Sequence, residues 1–206
     1  GGRELLPGTK TISLRKGKHK GVLESRLKMG FEYSDCWVED ARLVVLNAVD
    51  AAAHKADIRT RTEVKDLRAV DAGYEADIAG PDGTIKTICA KGVVNSAGPW
   101  VDEILGRLNK GRNDAGLRLV KGSHIVTRRL FEHDRAYFFQ GDDGRIIFAI
   151  PYEQDFTLIG TTDQVHQDLA QEPYCTPQER DYLIDFASQY FKTALTVDDI
   201  VWTYSG

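Results

Sequence analysis

The sequence predicts a chain of mixed class, in which an α/β segment is interleaved with an α+β segment. Two observations predict this class. Helical and strand patterns alternate through residues 40–110, which favours an α/β layer. Residues 117–206 hold many strand patterns and one capped helix, which favours an antiparallel sheet covered on one face.

The first elements follow from periodicity. Residues 1–30 are polar with little periodicity, and residues 31–38 predict a strand. A helix is predicted over residues 41–56, because four apolar residues share one of its faces: Leu43, Leu46, Val49 and Ala53. Residues 57–64 predict a short strand from their alternating β-branched residues.

A β-meander comes next in the prediction. Its strands are residues 64–72, 74–79 and 85–90, and the last two are joined by the turn sequence Gly80-Pro81-Asp82-Gly83. An apolar strand over residues 92–94 and a helix over residues 99–108, with Pro99 in its first turn, complete this part.

The second part is predicted to be mainly strand. The candidates are residues 117–128, 136–140, 145–151, 157–161 and 200–204, with a hairpin turn at residues 141–144. A helix is predicted over residues 177–192, since Thr176 and Glu179 have the spacing of a capping box.

Composition excludes several classes of function. The net charge of −4 gives no reason to expect nucleic acid as a partner. The three cysteines are far apart and the five histidines never fall at i, i+3 or i, i+4 spacing, so neither a disulfide framework nor a metal site is predicted. No P-loop or H-E-x-x-H motif and no Ser-His-Asp order occurs, so NTPase and hydrolase functions have no support. Residues 1–30 are basic, which fits either a solvated loop or a surface that meets an anionic lipid or ligand.

The stretch "VVNSAGPWVD", residues 93–102, contains small residues where a predicted strand meets a predicted helix. Such a corner lets a ligand approach the backbone, and the helix N-terminus favours an anion. A tight strand-to-helix corner without any ligand explains the same residues.

Three further stretches hold polar or titratable candidates. In "KGSHIV", Lys121 and His124 could hold an anionic substrate and move its proton, although a surface loop with a hydrogen-bonded histidine is the alternative. In "IGTTD", residues 159–163, the polar groups suit a polyol or an ordinary turn. In "WTYSG", residues 202–206, core packing is the simpler interpretation.

Taken together, these stretches resemble the FAD-dependent aerobic, quinone-linked glycerol-3-phosphate dehydrogenase family. The quoted motifs, with "FEYSDCWVEDARLVVLNAVDAAAHKAD", "DDGRIIFAIPYEQDFTLIGTTD" and "DDIVWTYSG", occur in the family's order over nearly the whole chain. The N-x-A-G-x-W pattern is shared with other flavin oxidases, whereas K-G-S-H-I-V with I-G-T-T-D is more particular to this family.

The resemblance implies a fold. A glutathione-reductase-type FAD-binding domain is interleaved with a substrate (cap) domain built on a largely antiparallel sheet. On this pattern residues 1–39 and 116–206 belong to the cap, and residues 40–115 form part of the FAD-binding domain with the β-meander inserted.

The resemblance also implies a reaction and site residues. Glycerol 3-phosphate gives a hydride to the flavin and becomes dihydroxyacetone phosphate, and the electrons pass to quinone in the membrane. His124 is the implied catalytic residue. The implied FAD-binding residues are Thr62, Glu63, Val64, Ser96, Ala97, Gly98 and Trp100, and the substrate-binding candidates are Lys121, Thr161, Thr162, Asp163 and Tyr204. Ser96 stands where the family more often has alanine, which we expect to have no consequence.

Two of the family's features are absent from this sequence. They are the G-x-G-x-x-G fingerprint, and the arginine and lysine after Gly206 that grip the phosphate. We therefore expect an internal fragment that by itself binds FAD weakly or not at all and is inactive. The family further implies peripheral attachment to the cytoplasmic face of the inner membrane. A truncated flavoprotein is also expected to leave an open sheet edge and to tend to form a homodimer. The alternatives are a flavin oxidase that acts on glycine or sarcosine, and a non-catalytic binding domain.

Overall fold

A computed structural model describes residues 6–108 and 116–206. The chain divides into two compact units: Cys36–Leu117, which we call the inserted unit, and Gly1–Asp35 with Arg118–Gly206, which we call the sheet unit. The assignment of residues 40–115 to an FAD-binding domain and of the rest to a cap stays a prediction. Its boundary at residue 115 lies outside the described residues.

The described elements are numbered in chain order. The helices are α1 (Asp40–Ala53), α2 (Val101–Leu108) and α3 (Pro177–Ser188). The strands are β1 (Lys10–Ser13), β2 (Met29–Glu32), β3 (Glu63–Val70), β4 (Gly73–Ala79), β5 (Ile85–Ala90), β6 (Val120–Lys121), β7 (Ser123–Arg128), β8 (Tyr137–Gln140), β9 (Ile146–Tyr152), β10 (Phe156–Gly160), β11 (Gln164–Val165) and β12 (Ile200–Ser205).

The core of the sheet unit is a five-stranded antiparallel sheet in the order β12-β7-β10-β9-β8. One row of facing residues crosses four of these strands and is buried: Ile125, Ile159, Ala149 and Tyr137. This row joins the same apolar cluster as Leu183 and Phe186 of α3. The helix predicted from the capping box therefore covers one face of the sheet, as expected from the alternation of side chains along each strand.

The first segment of the chain packs against the end of α3. The backbone N–H of Glu24 donates to the carbonyl of Tyr190, and the Arg26 guanidinium donates to the carbonyl of Gln189 at 2.7 Å. Leu23 is buried and forms an isolated β-bridge with Phe191. These contacts attach residues distant in sequence, and burial of Leu23 contributes about 1.5–3 kcal/mol to the attachment.

A buried cluster of His19, Tyr137 and His133 links this first segment to β8. The Tyr137 hydroxyl lies 3.1 Å from His19 Nδ1 and 2.9 Å from His133 Nε2. Burial raises the pKa of Tyr137 and lowers the pKa of both histidines, that of His133 to about 4. The positive charge of Lys18 lowers the pKa of both histidines further, and the proximity of His19 also lowers the pKa of His133. Both histidines are therefore held neutral by the fold.

In the inserted unit, β3, β4 and β5 form an antiparallel meander. Arg68 of β3 donates at 3.0 Å to Glu75 and at 2.8 Å to Asp77 of β4, which ties the two strands on one face. No residue of α1 is buried by the described parts of the chain, and Val44 and Val49 are 68% and 60% exposed. The apolar face that predicted α1 is thus open to solvent here.

Several predicted strands are wrong or incomplete. Residues 57–62 and 92–94 form no strand, because no neighbouring strand among the described residues pairs with them; Val94 is 90% exposed. The strand predicted over residues 31–38 is β2 and ends at Glu32. The strand over residues 117–128 is divided at Gly122 into β6 and β7, while β1 and β11 were not predicted.

The other predicted elements are confirmed within a few residues. They are α1, the meander β3–β5, α2, β8, β9, β10, the capped helix α3 and β12. Among the described residues, none of the helices combines the length and the apolar composition that a membrane span requires.

The His19–Tyr137–His133 cluster predicts acid destabilisation of the sheet unit. A histidine binds its proton near pH 6.5 when unfolded, but His133 binds it only near pH 4 in the fold. The unfolded state thus holds more protons between these pH values, so the free energy of unfolding should fall as pH falls through that window. The slope is about 1.4 kcal/mol per pH unit for each proton.

Urea unfolding at several pH values between 4 and 7.5 measures this slope. His133→Gln should reduce the slope, because one titrating group is removed. Leu23→Ala serves as the matched control: it removes buried apolar contacts in the same unit and should lower stability at every pH without changing the slope. An unchanged slope in His133→Gln would contradict the assignment.

Candidate functional site

The face of the five-stranded sheet opposite α3 carries a second row of residues, one position along from the buried row. Strand pairing aligns five residues across all five strands: Tyr204, His124, Gly160, Phe148 and Phe138. Because successive side chains alternate between faces, this row points away from α3. Phe148 and Phe138 are 37% and 44% exposed. We call this surface the open face.

His124 is the titratable residue of this row. Its imidazole stacks on the ring of Tyr204, with centroids 4.9 Å apart and planes inclined by 6°. Burial lowers the pKa of His124, so the ring is neutral near pH 7 and has a nitrogen that can accept a proton. Its Nδ1 atom is buried and has no hydrogen-bond partner among the described residues. A buried polar atom of this kind favours a site that is completed by a bound group.

The predicted substrate residues Lys121 and Thr162 lie elsewhere, around the buried carboxylate of Glu179. Lys121 Nζ donates to Glu179 Oε2 at 2.7 Å, and Thr162 Oγ1 donates to Oε1 at 2.9 Å. Ser123 Oγ also donates to Oε1, at 2.8 Å, and lies 2.7 Å from Ser205 Oγ of β12. Lys121 and Thr162 are therefore engaged in an internal network on the α3 side of the sheet.

The capping box of α3 completes this network. The backbone N–H and the hydroxyl of Thr176 both donate to Glu179 Oε2, at 3.0 and 2.8 Å, and the Glu179 N–H donates back to Thr176. Burial opposes ionisation of Glu179, but the hydrogen bonds from Lys121 and Thr176 outweigh it and lower the pKa to about 2. Glu179 is thus a charged group, satisfied on both oxygens, at the first turn of α3.

Thr161 and Asp163 lie at the surface beside this network. The Thr161 hydroxyl donates to the carbonyl of Thr162 at 3.1 Å, in the manner of a turn, and Asp163 is exposed. A substrate role for the five candidates stays a prediction. The structure brings His124 and Tyr204 together on the open face, and it brings Lys121 and Thr162 together around Glu179.

In the inserted unit, the predicted cofactor residues after Val94 form a tight turn. Asn95 Oδ1 accepts from the N–H of Ala97 at 3.2 Å, and Asn95 Nδ2 donates to the carbonyl of Val101 at 2.9 Å. Gly98 has a φ of +54° and open space where a Cβ would stand, so the turn needs a residue that tolerates the left-handed region. Ser96, Gly98 and Trp100 are exposed.

The other predicted cofactor residues lie at the start of β3. The Thr62 hydroxyl donates to the carbonyl of Thr60 at 3.2 Å, and Val64 is half-buried. Glu63 accepts from Lys65 at 2.6 Å and lies 3.9 Å from Arg107 of α2. A cavity of about 480 Å³ borders Thr62. These residues, like those of the turn, are accessible to a ligand, and their FAD-binding role stays a prediction.

Two residues with a structural role in these sites were missing from the predicted set. Asn95 bridges the small-residue turn, and its position directly before that turn is the local signal that could have identified it. Glu179 was predicted only as a capping residue. Its other partners are 17, 56 and 58 residues away in sequence, so no local pattern could reveal the network.

Comparison with known proteins identifies the class. The profile of the family described as FAD dependent oxidoreductase matches residues 2–206. The chain belongs to this family of FAD-dependent oxidoreductases, and the alternative of a non-catalytic binding domain is set aside. FAD is the cofactor of the family. In the inserted unit, Ser96 and Gly98 of the turn are exposed and compatible with a bound cofactor. In the sheet unit, the buried Nδ1 of His124, which has no hydrogen-bond partner among the described residues, separately indicates a bound group.

The chain is similar along its whole length to two curated dehydrogenases of sugar-alcohol phosphates. It is 42% identical to the D-erythritol 1-phosphate dehydrogenase of Brucella abortus over 207 residues, and 42% identical to the glycerol-3-phosphate dehydrogenase of Pseudomonas tolaasii over 206 residues. The predicted resemblance to glycerol-3-phosphate dehydrogenases is confirmed. The chain spans about two fifths of the length of these relatives, 41% and 40%.

Solved structures confirm the predicted fold class. The glycerol-3-phosphate dehydrogenase from Bacillus halodurans complexed with FAD has a TM-score of 0.77 and 31% identity, covering 97% of this chain and 44% of that one. The glycine oxidase from Bacillus cereus has a TM-score of 0.70 and 20% identity, covering 96% and 52%. The second likeness shows a shared fold alone.

The network around Glu179 predicts a large loss of stability when its charge is removed. Glu179→Gln leaves the ammonium of Lys121 without its counter-charge in a nearly buried site, which should cost roughly 3–5 kcal/mol. In the parent chain the carboxylate contributes its stabilisation above its ordinary pKa of 4.5, and this contribution is lost as the pH falls towards about 2.

Urea unfolding at pH 7 measures the loss. Asp185→Asn is the matched control, because it removes a carboxylate from the exposed side of the same helix; it should change stability by less than about 0.5 kcal/mol. Equal effects of the two substitutions would show that the Glu179 network does not stabilise the sheet unit.

Proposed function

We propose that the full-length protein is an FAD-dependent dehydrogenase that oxidises the secondary alcohol of a small polyol phosphate, with glycerol 3-phosphate as the first candidate. The product is then dihydroxyacetone phosphate. The observation that carries the proposal is the position of a neutral, partly buried His124 on the open face, in a chain 42% identical to a glycerol-3-phosphate dehydrogenase.

Oxidation of an alcohol requires removal of a hydride and a proton from the same substrate. When bound, FAD supplies the hydride acceptor. His124 accepts the hydroxyl proton, because its lowered pKa keeps the imidazole unprotonated and its stack on Tyr204 restricts the ring to one orientation. Ser96 and Gly98, which are exposed, would hold the cofactor together with Ala97 and Trp100 of the same turn and with Thr62, Glu63 and Val64 at the start of β3.

A second substrate, D-erythritol 1-phosphate, is favoured by the equal identity of 42% to a D-erythritol 1-phosphate dehydrogenase. Both molecules present a hydroxyl carbon and a phosphate dianion, so a proton acceptor such as His124 serves either. The amine alternative has weaker support, because the likeness to glycine oxidase is one of fold at 20% identity.

The proposal predicts reduction of the flavin by its substrate. Glycerol 3-phosphate, added without oxygen to the full-length protein, should bleach the visible flavin absorbance, and D-erythritol 1-phosphate in a parallel sample decides between the two polyol phosphates. His124→Gln should slow the bleaching by about 100- to 10,000-fold, the usual contribution of a general base, while retaining the flavin.

Glycine and sarcosine serve as control substrates in the same assay. Bleaching by either amine but by neither polyol phosphate would contradict the proposal. Full activity in His124→Gln would contradict the role of this residue and leave the substrate class intact.

The electron acceptor and location form a further part of the proposal. We propose that electrons pass to a membrane quinone and that the protein lies peripherally on the cytoplasmic face of the inner membrane. The support for the location at the membrane is a set of exposed basic residues in the first segment: Arg15, Lys16, Lys18, Lys20 and Lys28. Basic clusters are attracted to anionic lipid.

Binding to lipid vesicles tests this location. The full-length protein should sediment with vesicles that contain anionic lipid and remain in solution with neutral vesicles, and replacing Lys16, Lys18 and Lys20 by Gln should weaken binding by roughly 1 kcal/mol per charge. Equal binding to both vesicle types would contradict an electrostatic attachment.

A homodimer is also proposed. Sedimentation of the same protein without vesicles measures its oligomeric state.

A further inference from the structure

The imidazole of His124 is enclosed from two sides by residues of the neighbouring strands. β7 lies between β12 and β10 in the sheet, and strand pairing sets Tyr204 opposite His124 on one side and Gly160 opposite it on the other. The three residues are thus consecutive members of one row on the open face. Their relation is fixed by backbone hydrogen bonds rather than by flexible side chains.

On the β12 side, the phenol ring of Tyr204 determines the orientation of the imidazole plane. The two rings are nearly parallel, inclined by 6°, with centroids 4.9 Å apart. A stack of this kind stabilises the two rings beyond the area that it buries. Trp202 lies on the same face of β12, and the centroid of its ring is 5.2 Å from that of Tyr204, so the two rings pack together.

On the β10 side, the absence of a side chain at Gly160 makes room for the imidazole. A Cβ atom at this position would collide with the His124 ring. The φ of Gly160 is not in the left-handed region, so the reason for glycine here is the space that the ring occupies. A residue with any side chain would displace the imidazole or the strand.

We propose that Tyr204 and Gly160 are positioning residues, which hold the imidazole of His124 between them in the orientation from which it accepts the substrate's hydroxyl proton. This inference rests on the proposed function of His124 and assigns Tyr204 an action through that residue, instead of direct contact with the substrate. The aromatic ring of Tyr204, and not its hydroxyl, provides the positioning. A misplacement of about 1 Å in such a group can slow a reaction about 100-fold.

Two substitutions at Tyr204 in the full-length flavoprotein test this inference. Tyr204→Phe keeps the ring and should retain both kcat and KM. Tyr204→Leu keeps an apolar residue of similar bulk but removes the ring, so kcat should fall by between about 10- and 100-fold while KM stays nearly unchanged. Gly160→Ala, which acts from the other side of the imidazole, should lower kcat in the same way.

NMR of selectively labelled histidine gives a readout that does not depend on activity. The ring current of Tyr204 should displace the Cε1–H signal of His124 in the parent protein and in Tyr204→Phe, and the displacement should disappear in Tyr204→Leu. Phe31→Leu is the matched control, because it removes an exposed aromatic ring from β2, in another sheet of the same unit; it should change neither the signal nor kcat.

Two results would overturn the inference. One is an unchanged His124 signal in Tyr204→Leu, which would mean that the rings do not stack. The other is a raised KM in Tyr204→Phe, which would mean that the hydroxyl binds substrate. If instead His124→Gln is fully active while the signals behave as expected, the stack exists and the proposed role of His124 is wrong, so the two failures are distinguishable.

Discussion

The carboxylate of Glu179 is the constraint on which the sheet unit depends. A buried charge is tolerated only when both of its oxygens are satisfied. Here the donors come from β6, from β7, from the residues after β10 and from Thr176, which caps α3. Ser123 extends the network to Ser205 of β12. One side chain therefore fixes where α3 meets the sheet, and with it which face of the sheet is covered.

Once that face is covered, the alternation of side chains along β7 places packing residues on one face of the sheet and His124 on the other. Ser123, Ile125 and Thr127 are fully buried, while His124 between them belongs to the open face. His124 is thus flanked along the strand by buried residues on both sides. This arrangement meets the requirement that a proton acceptor be held by packed neighbours rather than by a loop.

Local signals in the sequence predicted much of the fold. The capping box at Thr176 and the turn at Gly80–Gly83 are satisfied by residues close in sequence, so their elements were predicted correctly. The strand predictions at residues 57–62 and 92–94 failed because a strand also needs a partner, and periodicity carries no information about partners. For the site, the residue pattern and the family resemblance led to the prediction of His124. The stack with Tyr204 joins residues 80 positions apart, and Glu179 binds three side chains that are 17, 56 and 58 positions away, so no local pattern shows either arrangement.

The pairing of β7 also constrains how this protein can vary. A single residue inserted or deleted between Gly122 and His124 would rotate every later side chain of the strand to the opposite face. Ile125 would then face solvent and the imidazole would be driven into the apolar layer beneath α3. Substitutions at the exposed positions of the open face, such as Phe138 and Phe148, carry no such cost, so relatives can diverge in substrate by exchanging side chains there. Changes of length in this strand, by contrast, should prevent the sheet unit from folding.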